Sequence, residues 1–227
     1  MKLKSSLLLS WVLFWILLSA ARAGTVEVRV GALGGFFRKR VMSIRERRFA
    51  YLVRQRYDLS CGSAALATLL RYYYGLKVTE EAIIKDILRH ADPGKIRSWG
   101  FSMLDLKLCA ERYGFKAAGY KLSPDRLHLL HLPVIVLLDL NGYRHFVVLK
   151  GVRGNTVFLA DPVYGHRTMP LSQFSRSWNR IFLAVIGPER PLPWKLKALA
   201  VPKERIWALE QISIGQLILN QPFSIKP

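Results

Sequence analysis

The chain has 227 residues, of which 51% are hydrophobic and 22% charged, a composition that excludes a disordered, collagen-like or low-complexity polypeptide. Its formal net charge is +20, from 35 Lys and Arg against 15 Asp and Glu, which favours anionic partners but does not constrain the fold. The two cysteines, Cys61 and Cys109, are too few for a disulfide-dense miniprotein or a four-cysteine zinc site.

The first 23 residues have the pattern of a secretory signal peptide. Two lysines precede an apolar run from Leu7 to Leu18, and small residues stand at Ala21 and Ala23, which is typical of a signal-peptidase site. We therefore predict cleavage after Ala23 and a periplasmic mature chain. The alternative is an uncleaved anchor in the inner membrane that faces the periplasm, although the uncharged stretch of residues 5–21 is only 17 residues long, near the lower limit for crossing about 30 Å of hydrocarbon.

Residues 24–49 form a basic N-terminal segment. Valines alternate with polar residues over Gly24–Val30, which predicts a short strand, and a glycine-rich stretch follows it at residues 31–35. Over residues 36–56 the only acid is Glu46, against eight basic residues: Arg38, Lys39, Arg40, Arg45, Arg47, Arg48, Arg54 and Arg56. We interpret this charge as a solvated or membrane-facing surface, and we expect no nucleic-acid partner because no recognised nucleic-acid-binding motif accompanies it.

The next part of the chain has the period of helices. The pattern predicts a first helix from Cys61 to Tyr74 that Gly75 ends. A second helix follows Thr79, a good N-cap residue, and extends to His90. A third helix opens at Ser102, with Asp105 three residues later, and extends to Gly114.

The second half of the chain has the period of strands. Asn141-Gly142 separates the apolar runs Val134–Leu140 and Tyr143–Lys150, the signature of a two-residue β-hairpin. Further strands are predicted at Thr156–Ala160 and Ile181–Ile186. Helices followed by an antiparallel sheet indicate an α+β fold, and residues 188–227, which contain six prolines, are predicted to be a C-terminal extension.

One of the cysteines stands where a helix is predicted to begin. Cys61 is followed by Gly62, Ser63, Ala64 and Ala65, so only small side chains surround it in the first turn. Unpaired backbone N–H groups and the positive end of the helix dipole favour a thiolate there. The alternative in an oxidising compartment is a disulfide with Cys109, which is otherwise expected to be an inert core residue.

A nucleophilic thiolate also needs a base, and His145 is the only histidine in a strong strand pattern. The other four are expected at helix ends or in loops: His90, His128, His131 and His166. A five-residue turn over residues 151–155 places Asp161 opposite His145, near enough for the carboxylate to hold the imidazole. A tight turn at Gly154-Asn155 places Asp161 opposite Val148 instead.

Gln55, Cys61, His145 and Asp161 together carry a family resemblance. With Gln55-x5-Cys61-Gly62-x-Ala64 and a 16-residue step from histidine to aspartate, the sequence resembles the C39 peptidases, cysteine proteases of papain-like fold that process bacteriocins at double-glycine sites. The resemblance covers about residues 50–186 and implies a C39-like peptidase domain over residues 50–187. It departs from the family at Ser60, where many members have aspartate.

The resemblance implies a role for each of the four residues. Cys61 is the expected nucleophile, His145 the general base, Asp161 the residue that orients the imidazole, and Gln55 a donor to the oxyanion. The implied reaction needs no metal and no cofactor. The implied function is that of an exported cysteine endopeptidase that cleaves polypeptides, with double-glycine-type sites as the expected substrates, in or beside a secretion pathway.

Two other functions stay open on the sequence. A catalytically silent C39-like module would bind peptides and assist export, and a transglutaminase-like enzyme would transfer the acyl group to an amine instead of water. Expected partners are a polypeptide substrate, a secretion apparatus and a membrane surface that meets the basic segment. Leu33-Gly34-Gly35-Phe36 matches a double-glycine site, but we favour a glycine-rich turn over self-processing.

Overall fold

The computed structural model describes residues 25–30, 35–40 and 42–187. They belong to two compact units, one ending at Arg48 and the other beginning at Phe49. The predicted signal peptide and C-terminal extension lie outside the described residues. Within the part of the chain that the structure describes, no helix is long and apolar enough to cross a membrane.

The first unit contains a hairpin and a short helix. Strands β1 (Thr25–Val30) and β2 (Gly35–Arg40) pair antiparallel, with Val30 opposite Gly35, which confirms the predicted first strand. Helix α1 (Ile44–Arg48) is preceded by Ser43, whose Oγ accepts the Glu46 N–H at 3.1 Å while its own N–H donates to the Glu46 carboxylate at 2.7 Å. This reciprocal cap satisfies two N–H groups at the start of the helix.

The second unit opens with four helices that are set mainly by their caps. They are α2 (Cys61–Thr68), which continues as a π-helical turn (Leu69–Tyr73), α3 (Glu80–His90), α4 (Pro93–Trp99) and α5 (Met103–Arg112). Thr79 caps α3 because its Oγ1 accepts a hydrogen bond from the Ala82 N–H. Ser102 and Asp105 form a capping box at the start of α5. The three predicted helices are confirmed; α4, which follows the N-cap Asp92, was not predicted.

A six-stranded antiparallel sheet follows the helices. Its strands are β3 (Lys116–Lys121), β4 (Val134–Leu140), β5 (Tyr143–Arg153), β6 (Thr156–Asp161), β7 (Gly165–Pro170) and β8 (Trp178–Ile186), in the spatial order β3-β8-β4-β5-β6-β7. A 3₁₀ helix (Pro124–Leu129) precedes β4, and helix α6 (Leu171–Ser177) precedes β8. The predicted α+β architecture is confirmed, although β3, β7 and α6 were not predicted.

The sheet has an apolar core on each face. Phe146 and Val148 of β5 pack with α2, α3 and α5 in one core, whereas Val147 and Leu149 pack with Phe174 of α6 in the other. Successive side chains of β5 therefore enter the two cores in turn, as expected for a strand that is covered on both faces. All eight residues of α2 are buried, and this helix lies against β5.

The β4–β5 connection is the predicted two-residue hairpin. Asn141 and Gly142 have φ values of 58° and 88°, the left-handed pair that a type I′ turn requires. The Gly142 N–H also donates to Asp139 Oδ1 at 2.6 Å. The turn places Tyr143 and His145 at the start of β5, directly after the reversal of the chain.

Candidate active site

Cys61 is the first residue of α2 and lies against β5. Its side chain is almost buried, and its Sγ accepts a hydrogen bond from the Phe146 N–H at 3.4 Å. The contacting amide belongs to the residue that follows His145, so the sulfur lies beside the start of β5. Both cysteines are free thiols, and the predicted disulfide alternative is therefore wrong.

Cys109 lies in α5 and is completely buried. Burial raises the pKa of its thiol, and the carboxylate of Asp86 raises it further. The residue therefore remains a neutral thiol inside the core, as expected.

Close packing explains why glycine follows the cysteine. A Cβ atom at Gly62 would lie 3.1 Å from a Phe146 ring carbon and 3.2 Å from a Leu106 methyl carbon. These distances are shorter than ordinary carbon contacts. The absence of a side chain at Gly62 allows α2 to approach β5 and α5 closely enough for the Cys61 sulfur to reach the Phe146 amide.

His145 and Asp161 form a buried pair. His145 Nε2 lies 2.8 Å from Asp161 Oδ1, and both side chains are inaccessible to solvent. Nε2 is thereby occupied, whereas Nδ1 is buried without a hydrogen-bond partner among the described residues and is the ring nitrogen that remains for the predicted proton exchange with Cys61. The ring stacks on Tyr143 at 5.8 Å between centroids and meets Tyr164 edge-on at 6.4 Å.

The strand register that brings this pair together differs from both predictions. The β5–β6 connection is the tight turn at Gly154-Asn155, so the five-residue turn is wrong. The tight turn alone would place Asp161 opposite Val148, but a bulge between Leu149 and Gly151 shifts the register by one residue, so that Val148 faces Ala160. Continued by one residue, this register sets Asp161 beside Val147, on the same face as His145, at a diagonal that long side chains can span.

The Asp161 carboxylate is held on all sides. Oδ1 also accepts the N–H groups of Val163 at 2.9 Å and Tyr164 at 3.1 Å, and Oδ2 accepts Arg167 Nε at 2.9 Å. The guanidinium of Arg167 in turn lies over the Tyr164 ring, 5.6 Å from its centroid. Sequence reasoning missed Arg167 because it did not recognise β7, and the same omission placed His166 in a loop when it lies in that strand.

The electrostatics of the pair favour an imidazolium beside a carboxylate. Burial alone would lower the pKa of His145, but its interactions with Asp161 and with the Cys61 thiol outweigh burial and raise the pKa to about 9. Burial likewise acts to raise the pKa of Asp161, yet its hydrogen bonds with His145 and two backbone N–H groups keep that pKa below the ordinary value. A pKa of about 9 favours the protonated ring at neutral pH, which is the form that the predicted general acid requires.

Gln55 lies in the segment before α2. Its Nε2 donates to the Tyr57 carbonyl oxygen at 2.7 Å, and its backbone N–H donates to the Pro162 carbonyl oxygen at 3.0 Å. The second bond ties the segment to the residue that follows Asp161. An amide nitrogen has two hydrogens, so one N–H group remains for an oxyanion; that role stays a prediction.

A groove opens beside Cys61. Its walls come from residues before α2, from the end of α4 and from the β4–β5 hairpin: Leu59, Trp99, Gly100, Phe101, Leu137, Tyr143, Arg144 and Phe146. Trp99 is 73% exposed, and such a large exposed aromatic ring beside a nucleophile is typical of a surface that binds ligand. Leu59 has a φ of 59°, a strained backbone conformation for a residue with a branched side chain.

Residues 50–189 match the model of the peptidase C39 family. The chain belongs to this family. It is 49% identical to a probable functional amyloid protease, FapD, of Pseudomonas aeruginosa over 154 residues, and these residues make up 68% of each chain. The FapD protein of Pseudomonas fluorescens is 45% identical over 175 residues, or 77% of each chain.

Solved structures agree with the family. A double-glycine motif protease from an AMS/PCAT transporter, crystallised with its leader peptide, is 32% identical and matches with a TM-score of 0.50 over 60% of this chain and 90% of its own. The peptidase domain of Streptococcus ComA shares the fold, with a TM-score of 0.52 and 21% identity over 60% of this chain and 97% of its own. The protein is thus a cysteine peptidase of papain-like fold.

Proposed function

We propose that this C39 peptidase is exported and cleaves secreted polypeptides after double-glycine-type sites. The observation that carries the proposal is the His145–Asp161 pair, buried and hydrogen-bonded at 2.8 Å, beside a free thiol at a helix N-terminus. The intact pair favours an enzyme over a catalytically silent binding module. The 32% identical relative crystallised with a leader peptide supports the double-glycine preference.

The reaction is acyl transfer through the thiol. The Cys61 thiolate attacks the scissile carbonyl carbon, the Gln55 amide and the Cys61 backbone N–H hold the oxyanion, and the His145 imidazolium protonates the leaving amine. Water, deprotonated by His145, then attacks the acyl-enzyme and releases the new carboxyl terminus. Asp161 keeps the ring oriented and stabilises its positive charge in each half-reaction.

The crowded surroundings of Cys61 support a preference for glycine. Large side chains such as Trp99 and Tyr143 line the groove beside the sulfur. Residues without side chains approach such a nucleophile most easily. The two relatives named probable functional amyloid proteases point to a substrate among amyloid-forming polypeptides.

A panel of peptides tests this function directly. Protein lacking residues 1–23 is incubated with peptides that contain Leu-Gly-Gly and with matched peptides that contain Leu-Ala-Ala, and the products are identified by mass spectrometry. We expect cleavage after the second glycine, no cleavage by Cys61→Ala, and a loss of up to about 10⁴-fold in Asp161→Asn. Equal cleavage of the alanine peptides would remove the proposed specificity.

The proposed periplasmic location depends on residues 1–23. Their charged start, apolar run and small residues at Ala21 and Ala23 are those of a cleaved export signal. We expect the protein in the periplasmic fraction of a Gram-negative host to have an intact mass that begins at Gly24. A membrane-bound product that retains Met1 would show instead that the segment is an anchor.

A further inference from the structure

A buried carboxyl group lies behind the active site and is not part of the catalytic set. Glu80, the first residue of α3, is only 2% exposed. Its Oε1 lies 2.6 Å from Ser60 Oγ, and the Arg56 N–H donates to Oε2 at 3.1 Å. Glu80 therefore contacts both ends of the segment that leads into Cys61.

The Ser60 hydroxyl determines the charge of this carboxyl group. Ser60 Oγ lies 2.6 Å from Glu80 Oε1 and also 2.7 Å from the Tyr57 carbonyl oxygen. A hydroxyl has one hydrogen, and a carbonyl oxygen can only accept. A single hydrogen shared between the two oxygens would weaken both bonds, whereas both are full hydrogen bonds when Ser60 donates to the carbonyl and a protonated Glu80 donates to Ser60. Burial raises the pKa of Glu80, and the bonds with Ser60 and the Arg56 N–H offset part of this increase.

The same carbonyl group connects Glu80 to the predicted oxyanion donor. The Tyr57 oxygen accepts from Ser60 Oγ and, also at 2.7 Å, from Gln55 Nε2. At the other end of the chain of bonds, the Ser60 carbonyl oxygen accepts the Ala64 N–H at 3.1 Å and Ser63 Oγ at 2.8 Å. One continuous network therefore fixes the start of α2 and the orientation of the Gln55 amide.

We propose that Glu80 is a positioning residue of the peptidase: a neutral carboxyl group that, through the Ser60 hydroxyl, holds the Gln55 amide where it meets the oxyanion. This inference rests on the proposed function. A neutral group suits this place, because an anion behind Cys61 would oppose both the thiolate and the oxyanion. Glu80 stabilises the transition state through Gln55 and does not touch the substrate.

Four variants and one background test the inference with a fluorogenic Leu-Gly-Gly peptide. Glu80→Gln keeps a donor to Ser60 and an acceptor for the Arg56 N–H, so we expect kcat/KM within about threefold of wild type. Glu80→Ala lowers kcat by about 10- to 100-fold and leaves KM within about twofold, because an oxyanion bond forms only in the transition state. Ser60→Ala, which breaks the same link, gives a similar loss and serves if Glu80→Ala does not fold.

Glu81→Ala is the matched control. Glu81 is the next residue of α3, and its carboxylate interacts with the Thr79 hydroxyl and with the exposed Arg56 guanidinium at 3.2 Å. We expect wild-type kinetics for it. In a Gln55→Ala background, adding Glu80→Ala should lower kcat by less than about threefold, since both changes remove the same bond. The rate at which iodoacetamide alkylates Cys61 should change by less than about threefold in Glu80→Ala.

Three outcomes overturn the inference. The first is a Glu80→Gln enzyme as impaired as Glu80→Ala, which would mean that the carboxylate charge is needed. The second is that Glu80→Ala lowers kcat in the Gln55→Ala background by as much as it does in the wild type. The third is wild-type activity in both Glu80→Ala and Ser60→Ala. Each leaves the wild-type enzyme active. A wild-type protein that does not cut the Leu-Gly-Gly peptide would instead overturn the proposed function, and the positioning role with it.

Discussion

We expect His145 to determine how the activity of the site depends on pH. Its pKa of about 9 exceeds the ordinary histidine value of about 6.5, so the folded protein binds this proton more tightly than the unfolded chain does. The stability that this protonation contributes is complete below pH 6.5 and disappears as the pH rises through about 9. The contribution of Asp161 depends on pH in the opposite direction. Its lowered pKa stabilises the fold at neutral pH, and this stabilisation is lost in acid.

The pH profile of the reaction should show the same group. We expect kcat/KM for a cleaved peptide to fall as the pH rises through about 9, because the imidazolium that protonates the leaving amine is then lost. The free energy of unfolding, measured in urea, should fall over the same range in wild type and much less in His145→Gln. A rate that stays constant to pH 10.5 would contradict this assignment of the proton.

Helix α2 positions Cys61, the proposed nucleophile, and its own position depends on Gly62. The Phe146 amide reaches the Cys61 sulfur at 3.4 Å, while a Cβ atom at Gly62 would lie 3.1 Å from the Phe146 ring. The helix and strand β5 are thus as close as glycine permits. A side chain at residue 62 must displace the Phe146 ring and the Leu106 methyl groups or move the helix away from the strand.

Gly62→Ala should therefore reduce stability and activity together. We expect a loss of about 1–3 kcal/mol in the free energy of unfolding, and kcat/KM should fall by at least about tenfold because the sulfur moves away from the imidazole. Gly94→Ala is the control, since its Cβ atom would meet only the flexible Asp92 carboxylate. Wild-type kinetics in Gly62→Ala would show that the close approach is dispensable.

Local chemistry made some elements predictable and left others hidden. Thr79, Ser102 with Asp105, and Asn141-Gly142 specify helix starts and a hairpin turn through bonds that reach only two or three residues. The bulge between Leu149 and Gly151 has no such signal, because it depends on which residues of β6 pack opposite β5. The His145–Asp161 pair was predicted, although through a turn that the structure does not contain.

Glu80 and Arg167 mark the limit of sequence reasoning at the site. Each meets its partner across a distance in the fold: Glu80 contacts Ser60 from the next helix, and Arg167 contacts Asp161 from a strand that was not recognised. Nothing in their local sequence distinguishes them from surface charges. Only the packing of elements shows that Glu80 is buried and that Arg167 contacts the buried Asp161 carboxylate.

At the scale of the whole molecule, the described core and site belong to the second unit. That unit begins at Phe49, and Gln55, Cys61, His145 and Asp161, with the residues that contact them, lie between residues 49 and 187. Both apolar cores also come from this range. The fragment should therefore fold without the residues on either side of it.

We expect residues 49–187, expressed alone, to unfold cooperatively and to cleave the Leu-Gly-Gly peptide with kcat/KM within about threefold of the protein that lacks residues 1–23. Because neither cysteine is in a disulfide, a reducing agent should leave the melting temperature of the fragment unchanged. A folded but inactive fragment would show that a flanking segment completes the site.

The bulge in β5 has a consequence for how this enzyme can vary. Successive residues of a strand point to opposite sides, so adding or removing a single residue within the paired part of β5 or β6 would send the side chains of His145 and Asp161 to opposite sides of the sheet. A residue added in the turn at Gly154-Asn155 leaves the pairs from Arg153–Thr156 onward unchanged and should be tolerated. A residue added within the paired part should be tolerated only with a second irregularity that restores the register.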